Sequence, residues 1–193
     1  MSKPIVAVVG RPNVGKSTLF NQIGKKRVSI VDDMPGVTRD RIYMDAEWLN
    51  HEFTIIDTGG IEFVDKDNRI FTSMRYQAEL AIREADVILY VVDGKTGIQP
   101  QDREIASLLR SSGKPVILVV NKIDSVEQEM NIYEFYGLGL GDPVGVSAVN
   151  LMNLGDLLDE VLKNIKEVPV REENESAVHV ALVGRPNVGK SSL

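Results

Sequence analysis

A segment near the start of the chain has the residue types and spacing of a phosphate-binding loop. Residues 10–17 read GRPNVGKS and fit the pattern G-x-x-x-x-G-K-[ST] throughout. Glycines let backbone N–H groups turn toward phosphate oxygens, and a helix that begins near Lys16 directs its positive dipole end at them. Lys16 can reach the β- and γ-phosphates of a nucleotide, and Ser17 can ligate Mg²⁺. The predicted ligand-binding residues here are Gly10, Arg11, Pro12, Asn13, Val14, Gly15, Lys16, Ser17 and Thr18; the alternative is a chance glycine turn.

A second segment, Asn121-Lys122-Ile123-Asp124, has the residues needed to recognise a guanine base. A carboxylate at Asp124 can accept two parallel hydrogen bonds, from the guanine N1–H and the exocyclic amine, and adenine has neither donor on that edge. Asn121 can tie this loop to the phosphate loop, and the stem of Lys122 can lie on the purine face. The backbone N–H groups of Ser147 and Ala148 are candidates for the guanine O6. A polar surface turn has a similar composition, and an ATPase stays open if Asp124 does not read the base.

Two further segments are candidates to sense the γ-phosphate. In Asp57-Thr58-Gly59-Gly60, Asp57 can hold Mg²⁺ through a water molecule, and the Gly60 N–H can approach the γ-phosphate because no side chain blocks it. In PGVTRD at 35–40, Thr38 is a candidate Mg²⁺ ligand that leaves when the γ-phosphate is lost. This segment is therefore predicted to be a switch, and the alternative is a polar loop without a ligand role.

Strand-like and helical segments alternate along the chain and would position these loops. Segments 5–10, 86–93 and 115–121 are β-branched and apolar on both faces, as buried parallel strands are, while 41–50 and 51–58 resemble a hairpin around Asn50-His51. A further strand is predicted to end in Ser147-Ala148. Helices are predicted over 16–24, 70–85, 101–112 and 151–166, with a weaker one near 127–137. The order predicts an α/β fold with a doubly wound, mostly parallel six-stranded sheet and one antiparallel edge strand, which binds ligands at the carboxyl ends of its strands.

The composition limits the kinds of protein that this chain can be. The 193 residues are 43% hydrophobic and 26% charged, as in soluble globular proteins. Without cysteine there is no disulfide framework or thiolate site, which fits a reducing compartment such as the cytoplasm. No signal segment or membrane-length apolar stretch is found, so no membrane partner is expected. A net charge of −6 argues against direct nucleic-acid binding by bulk electrostatics, whereas a phosphorylated small ligand needs only a few local donors.

The phosphate loop occurs twice. Residues 180–193 match residues 6–19 at 12 of 14 positions, and Gly184, Gly189, Lys190 and Ser191 form an incomplete second phosphate loop. The segment EVPVREENESA at 167–177 is typical of an acidic linker. We therefore expect a complete domain at 1–166, a linker at 167–177, and a truncated second domain at 178–193 that does not bind nucleotide by itself.

Together these motifs resemble the translation-factor class of small GTPases, which have a P-loop NTPase fold. GRPNVGKS, Thr38, DTGG, NKID and SA occur in the order and spacing of that class between Val6 and Ala148. The segments PGVTRD and DTGGIE and the second GRPNVGKS resemble the Der (EngA) family of bacterial GTPases, which have two tandem G domains and a KH-like domain. The resemblance implies GTP and GDP as ligands, Mg²⁺ as cofactor, GTP hydrolysis, and a cytoplasmic role in biogenesis of the large ribosomal subunit. Implied partners are that subunit, the second G domain and the KH-like domain.

The residue after the D-x-x-G motif is unusual for a GTPase. Many G proteins have a glutamine there that orients the attacking water, whereas this chain has Ile61, which cannot hydrogen-bond. We expect slow intrinsic hydrolysis, and the alternative function is a GTP-controlled binding module. The resemblance implies a K⁺ ion beside the phosphates, held partly by Asn13, unless Asn13 only braces the loop. The predicted catalytic residues are Lys16, Thr38, Gly60 and Asn13; the predicted ligands are Ser17, Thr38 and Asp57 for Mg²⁺ and Asn13 for K⁺.

Overall fold

A six-stranded sheet organises the part of the chain that the computed structural model describes, residues 3–24, 42–58 and 69–166. Its order is β2-β3-β1-β4-β5-β6, and every pairing is parallel except that of β2 with β3. The predicted fold is confirmed, including the antiparallel edge. The strands are β1 (Ile5–Gly10), β2 (Ile42–Trp48), β3 (His51–Asp57), β4 (Val87–Asp93), β5 (Val116–Asn121) and β6 (Val144–Gly145).

Four α-helices and one 3₁₀ helix connect the described strands. The helices are α1 (Lys16–Gly24), α2 (Arg69–Glu84), α3 (Pro100–Ser111) and α4 (Leu154–Lys166), and the 3₁₀ helix covers Val126–Leu138. The predicted helix at 127–137 is therefore a 3₁₀ helix. Among the described residues, no helix combines the length and the apolar character needed to cross a membrane.

Three predicted element ends were wrong by two or more residues, and several other predicted bounds differ from the structure by one residue. The helix predicted at 151–166 begins only at Leu154, because Leu151 and Asn153 have positive φ values of 60° and 57°, which a right-handed helix cannot contain. The hairpin turns at Leu49-Asn50, where φ is 49° and 64°, and not at Asn50-His51. Strand β6 ends at Gly145, so Ser147 lies beyond it and forms an isolated bridge with Met152.

The helices cover both faces of the sheet, so β1 is buried on either side. Val6 and Val8 pack in one core cluster with residues of α1 and α4, while Ala7 and Val9 pack in another with residues of α2 and α3. All four side chains are 0–1% exposed. A strand held in this way gives the loop that follows it a rigid base.

The loop after β1 lies where the strand order changes direction, because β2 and β3 lie on one side of β1 and β4, β5 and β6 lie on the other. Strand β1 lies between β3 and β4, and α1, which follows β1, packs in a different core cluster from α2, which precedes β4. In open α/β sheets the crevice at such a position, outside the carboxyl ends of the strands, is where ligands bind. The carboxyl ends of β1, β3, β4 and β5, which are parallel to one another, therefore lie at one edge of the sheet.

Candidate functional site

The loops at this edge surround a cavity of about 630 Å³, within the range of small-molecule sites. Segments that are far apart in sequence supply its walls. The lining residues are Pro12, Asn13, Gly15, Lys16, Ser17, Thr18, Lys95, Asn121, Lys122, Asp124, Ser147 and Val149. Ten of these twelve are residues predicted from the sequence, and the structure brings them together; Lys95 and Val149 are additional.

Glycine is required in the phosphate loop because other loops approach its backbone closely. Gly15 has a φ of 95°, and a Cβ at this position would overlap Nδ2 of Asn121. A Cβ on Gly10 would overlap the carbonyl oxygen of Val91. The two motif glycines thus allow the loop to contact β4 and the loop after β5 at once.

Lys16 is the buried cation of the cavity. Its side chain donates hydrogen bonds from Nζ to the carbonyl oxygens of Gly10 and Arg11, each at 2.7 Å, and the residue is only 7% exposed. Burial lowers the pKa of Lys16 to about 8, against the opposing effect of nearby Asp57. A phosphate group that enters the cavity would place negative charge beside this ammonium group and favour its charged form.

Ser17 and Asp57 form an oxygen-rich pair beside Lys16. The Ser17 hydroxyl donates to Oδ2 of Asp57 over 2.9 Å, and Asp57 is 3% exposed. Thr58 donates from Oγ1 to the carbonyl oxygen of Val8 at 2.6 Å and so fastens the end of β3 to β1. Hydroxyl and carboxylate oxygens are the ligands that Mg²⁺ prefers, so the residues present fit this ion.

Asn121 joins the phosphate loop to the far side of the cavity. Its Nδ2 donates to the carbonyl oxygen of Val14 at 2.8 Å, and its Oδ1 accepts from the N–H of Ala148 at 3.0 Å. The predicted link between the loops is confirmed. The N–H groups of Ser147 and Ala148, predicted for the guanine O6, instead donate to Met152 and Asn121 in this structure.

Asp124 lines the same cavity as Lys16. Its Oδ1 accepts from the Ser147 hydroxyl at 2.6 Å, and its Oδ2 lies 2.6 Å from Nζ of Lys95. These two donors, Lys95 first, lower the pKa of Asp124. Near neutral pH this side chain is therefore a carboxylate that only accepts hydrogen bonds.

Asp93, at the end of β4, lies outside the predicted site motifs but contacts residues that line the cavity. Its Oδ2 pairs with Nζ of Lys122 at 2.6 Å, and its Oδ1 accepts from the backbone N–H groups of Lys95 and Thr96. Burial opposes ionisation, but these hydrogen bonds hold the pKa of Asp93 below its ordinary value. Lys122 also donates to the carbonyl oxygen of Asn13 at 2.6 Å. The position of Asp93 at the carboxyl end of a central strand was the available signal.

The side chain of Arg11 is turned toward α3, away from the cavity. Its guanidinium contacts Asp102 and Thr96, which leaves only the Arg11 backbone for a phosphate. Val14 and Ala148 are buried behind the wall, and Asn13 is exposed.

Several predicted residues lie outside the described residues, and their roles remain predictions. They are Thr38, Gly59, Gly60 and Ile61, the linker at 167–177, and the second loop with Gly184, Gly189, Lys190 and Ser191.

Comparison with known families decides what kind of protein has this site. The family described as "50S ribosome-binding GTPase" matches residues 5–122, which is more than half of the chain. The chain belongs to this GTPase family. The GTPase Der of Clostridium novyi is 61% identical over all 193 residues, so the resemblance to Der is confirmed. The chain spans 44% of the length of that relative.

Solved structures support the same assignment. Era from Aquifex aeolicus, in a structure bound to GDP and AlF₄⁻, is 35% identical with a TM-score of 0.68; the match covers 89% of this chain and 59% of that one. The G domain of the FeoB iron transporter from T. maritima has a TM-score of 0.62 at 24% identity, over 85% and 99% of the two chains. At that identity the FeoB match shows the fold alone. This chain therefore has the fold expected of a small G domain.

Proposed function

We propose that this domain binds GTP together with Mg²⁺ and hydrolyses it to GDP and phosphate. The observation that carries the proposal is one cavity lined both by Lys16 of the phosphate loop and by the Asp124 side chain of the Asn121–Asp124 segment. A phosphate loop alone accepts any nucleotide, whereas a carboxylate at the base end favours guanine. Membership of a GTPase family supports the same reaction.

The residues of the cavity bind the two ends of the nucleotide in different ways. Backbone N–H groups of 13–18 and the Lys16 ammonium group hold the phosphates, and Lys16 exchanges its carbonyl acceptors for phosphate oxygens. At the other end, Asp124 accepts from N1–H and the exocyclic amine of guanine. The stem of Lys122 covers the base while its Nζ stays on Asn13 and Asp93.

Hydrolysis transfers the γ-phosphoryl group to water. The water oxygen forms a bond to the γ-phosphorus, the bond from that phosphorus to the β–γ bridging oxygen breaks, and one proton passes to solvent. Lys16 and the loop N–H groups stabilise the charge that develops on the phosphate oxygens. Ser17, Asp57 through water and Thr38 would hold Mg²⁺, which would supply further positive charge near the phosphates. Thr38 and Gly60 respond to the presence of the γ-phosphate.

Base recognition is tested by exchanging Asp124 for asparagine. Asp124→Asn replaces one acceptor with a donor, so it should weaken GTP binding and favour xanthosine triphosphate, which has a carbonyl in place of the amine. Asp156→Asn, on the exposed side of α4, removes the same charge away from the cavity and is the matched control. The guanine assignment fails if Asp124→Asn binds xanthosine triphosphate no better than the parent does.

A slow switch is the second candidate, and Ile61 favours it because an apolar side chain cannot orient the attacking water. We propose that K⁺ beside the exposed Asn13 provides the missing charge stabilisation. Steady-state GTP turnover in KCl and in NaCl separates the two functions. Marked stimulation by KCl supports the ion-assisted enzyme, and negligible turnover in both salts supports a binding module that releases its partner slowly.

The proposed biological role is in cytoplasmic biogenesis of the large ribosomal subunit. The description of the matched family names 50S ribosome binding, which supports this partner. Because the chain spans 44% of its relatives' length, a second G domain and a KH-like domain are proposed as further partners. Co-sedimentation of the longer protein with 50S subunits in a non-hydrolysable GTP analogue and in GDP tests the role, with nucleotide-dependent binding expected.

A further inference from the structure

Lys95 belongs to none of the nucleotide-binding motifs, yet it lines the cavity. Its Nζ lies 2.6 Å from Oδ2 of Asp124, and the side chain is 49% exposed. The contact joins the loop after β4 to the loop after β5. Lys95 therefore occupies an oxygen that the guanine base is proposed to use.

The segment that presents Lys95 is held in place at several points. The N–H of Lys95 donates to Oδ1 of Asp93 at 2.9 Å, and the N–H of Gly94 donates to the carbonyl oxygen of Asn121 at 2.8 Å. Thr96 accepts from the Arg11 guanidinium at 3.3 Å. The backbone of this loop is therefore held against Asp93 and Asn121, and the Thr96 side chain contacts the phosphate loop, whereas the side chain of Lys95 is half exposed.

Both oxygens of the base-reading carboxylate have internal donors. Oδ1 of Asp124 accepts from the Ser147 hydroxyl, and Oδ2 accepts from Lys95. A guanine needs both oxygens for its two parallel donors. Resting on the proposed function, we propose that Lys95 lowers affinity in the guanine subsite by competing with the base for Oδ2 of Asp124.

The exposure of Lys95 and Asp124 limits how much this competition can change nucleotide affinity. Lys95 is 49% and Asp124 31% exposed, and ion pairs of this kind contribute little because water and salt screen them. Loss of Lys95 should therefore tighten guanine nucleotide binding only about two- to fivefold. A base that makes no contact with Asp124 has no reason to displace Lys95, so adenine nucleotides should gain nothing.

The test compares Lys95→Met with Lys163→Met. Lys163 is 72% exposed and pairs with Glu160 on α4, so its substitution removes the same charge from a similar ion pair outside the cavity. GDP and ADP affinities are measured by calorimetry for both variants and the parent. We expect Lys95→Met to tighten GDP binding two- to fivefold with ADP unchanged, and Lys163→Met to alter neither.

A double variant isolates the contact with Asp124. In Asp124→Asn the partner charge is gone, so adding Lys95→Met should give no further gain in GDP affinity. The inference is overturned if Lys95→Met leaves GDP affinity unchanged or weakens it, or if the gain persists in the Asp124→Asn background. If the parent itself does not bind GDP, the proposed function fails instead, and the two failures are distinguishable.

Discussion

Nε of Arg11 lies 2.9 Å from Oδ1 and 3.1 Å from Oδ2 of Asp102, so the phosphate loop is bound to the first turn of α3. The Asp102 side chain is fully buried and that of Arg11 is 17% exposed. The same carboxylate accepts from the N–H of Gln99 at 2.9 Å and from the Tyr90 hydroxyl at 3.3 Å. Burial, with the Asp102 charge next, raises the pKa of Tyr90, so it stays a donor. The second residue of the loop is thus a positioning residue.

Removing this guanidinium should destabilise the whole domain. Arg11→Ala leaves the Asp102 carboxylate buried without a counter-ion, and breaking a buried pair in this way lowers the free energy of unfolding by about 3–5 kcal/mol. Urea unfolding followed by circular dichroism measures the change. Arg75→Ala is the matched control, because Arg75 pairs with Glu79 on the exposed face of α2 and should change stability by less than about 1 kcal/mol. Equal effects of the two substitutions would contradict the buried pair.

Gly15→Ala should abolish tight nucleotide binding. The new methyl group would overlap Nδ2 of Asn121, and the alanine backbone would have to keep the positive φ of this position. The loop therefore has to move away from Asn121. Gly113 also has a positive φ, of 69°, but nothing lies within 4 Å of an added Cβ. Gly113→Ala should therefore lose only about 1 kcal/mol of stability and keep its GDP affinity. Titration with a fluorescent GDP analogue compares the affinities of the two variants. Retained binding in Gly15→Ala would show that the loop tolerates a Cβ beside Asn121.

Asn121→Ala should reduce both stability and nucleotide affinity. It leaves the Val14 carbonyl and the Ala148 N–H without the partners they have here, and unsatisfied buried groups each lower stability by about 1–3 kcal/mol. Thermal unfolding and GDP titration measure the two effects. Asn164, whose amide bonds to Glu160 within α4, is the comparison residue, and Asn164→Ala should have a small effect on stability and none on binding.

Nucleotide affinity should fall as the pH rises above about 8. The pKa of Lys16 is lowered to about 8 by burial, and a bound phosphate favours the charged form, so each pH unit above that value reduces affinity up to about tenfold. GDP titrations between pH 7 and 9 measure this profile. The arginine of Lys16→Arg stays protonated throughout this pH range. Any pH dependence of GDP affinity that remains in this variant therefore reports titration of the nucleotide alone. A parent profile no steeper than that of Lys16→Arg would exclude the titration of Lys16.

The lowered pKa of Lys16 has the opposite effect on the pH dependence of folding stability. The unfolded chain has a lysine pKa of 10.5, so between pH 8 and 10.5 it binds more protons at this site than the folded chain does. This contribution to stability therefore rises with pH in that range. A folding stability that rises with pH, together with a nucleotide affinity that falls with pH, is a specific sign of a buried, phosphate-binding lysine.

Sequence alone could predict the strands and loop motifs because local residue types determine them. Strand β1 matches its predicted bounds, since a β-branched apolar run followed by glycine admits few alternatives. The contacts of Arg11 and Lys95 could not be predicted in this way. Arg11 and Asp102 are 91 residues apart, and only the strand order brings α3 beside the phosphate loop. Leu49 lies in a left-handed turn that its side chain disfavours, so composition could not locate that turn.

The walls of the cavity are contributed by residues from Pro12 to Val149, and this dispersal links the ligand to the folding of the domain. A chain that has not yet added β5 to the sheet lacks Asn121 and Asp124 at the edge, so partially folded forms offer a nucleotide only part of the cavity wall. Nucleotide then binds the native state alone and stabilises it by about 2.7 kcal/mol at a concentration one hundred times its dissociation constant. If the domain binds guanine nucleotide as proposed, the cellular supply of that nucleotide becomes a determinant of how long each copy of this protein survives proteolysis.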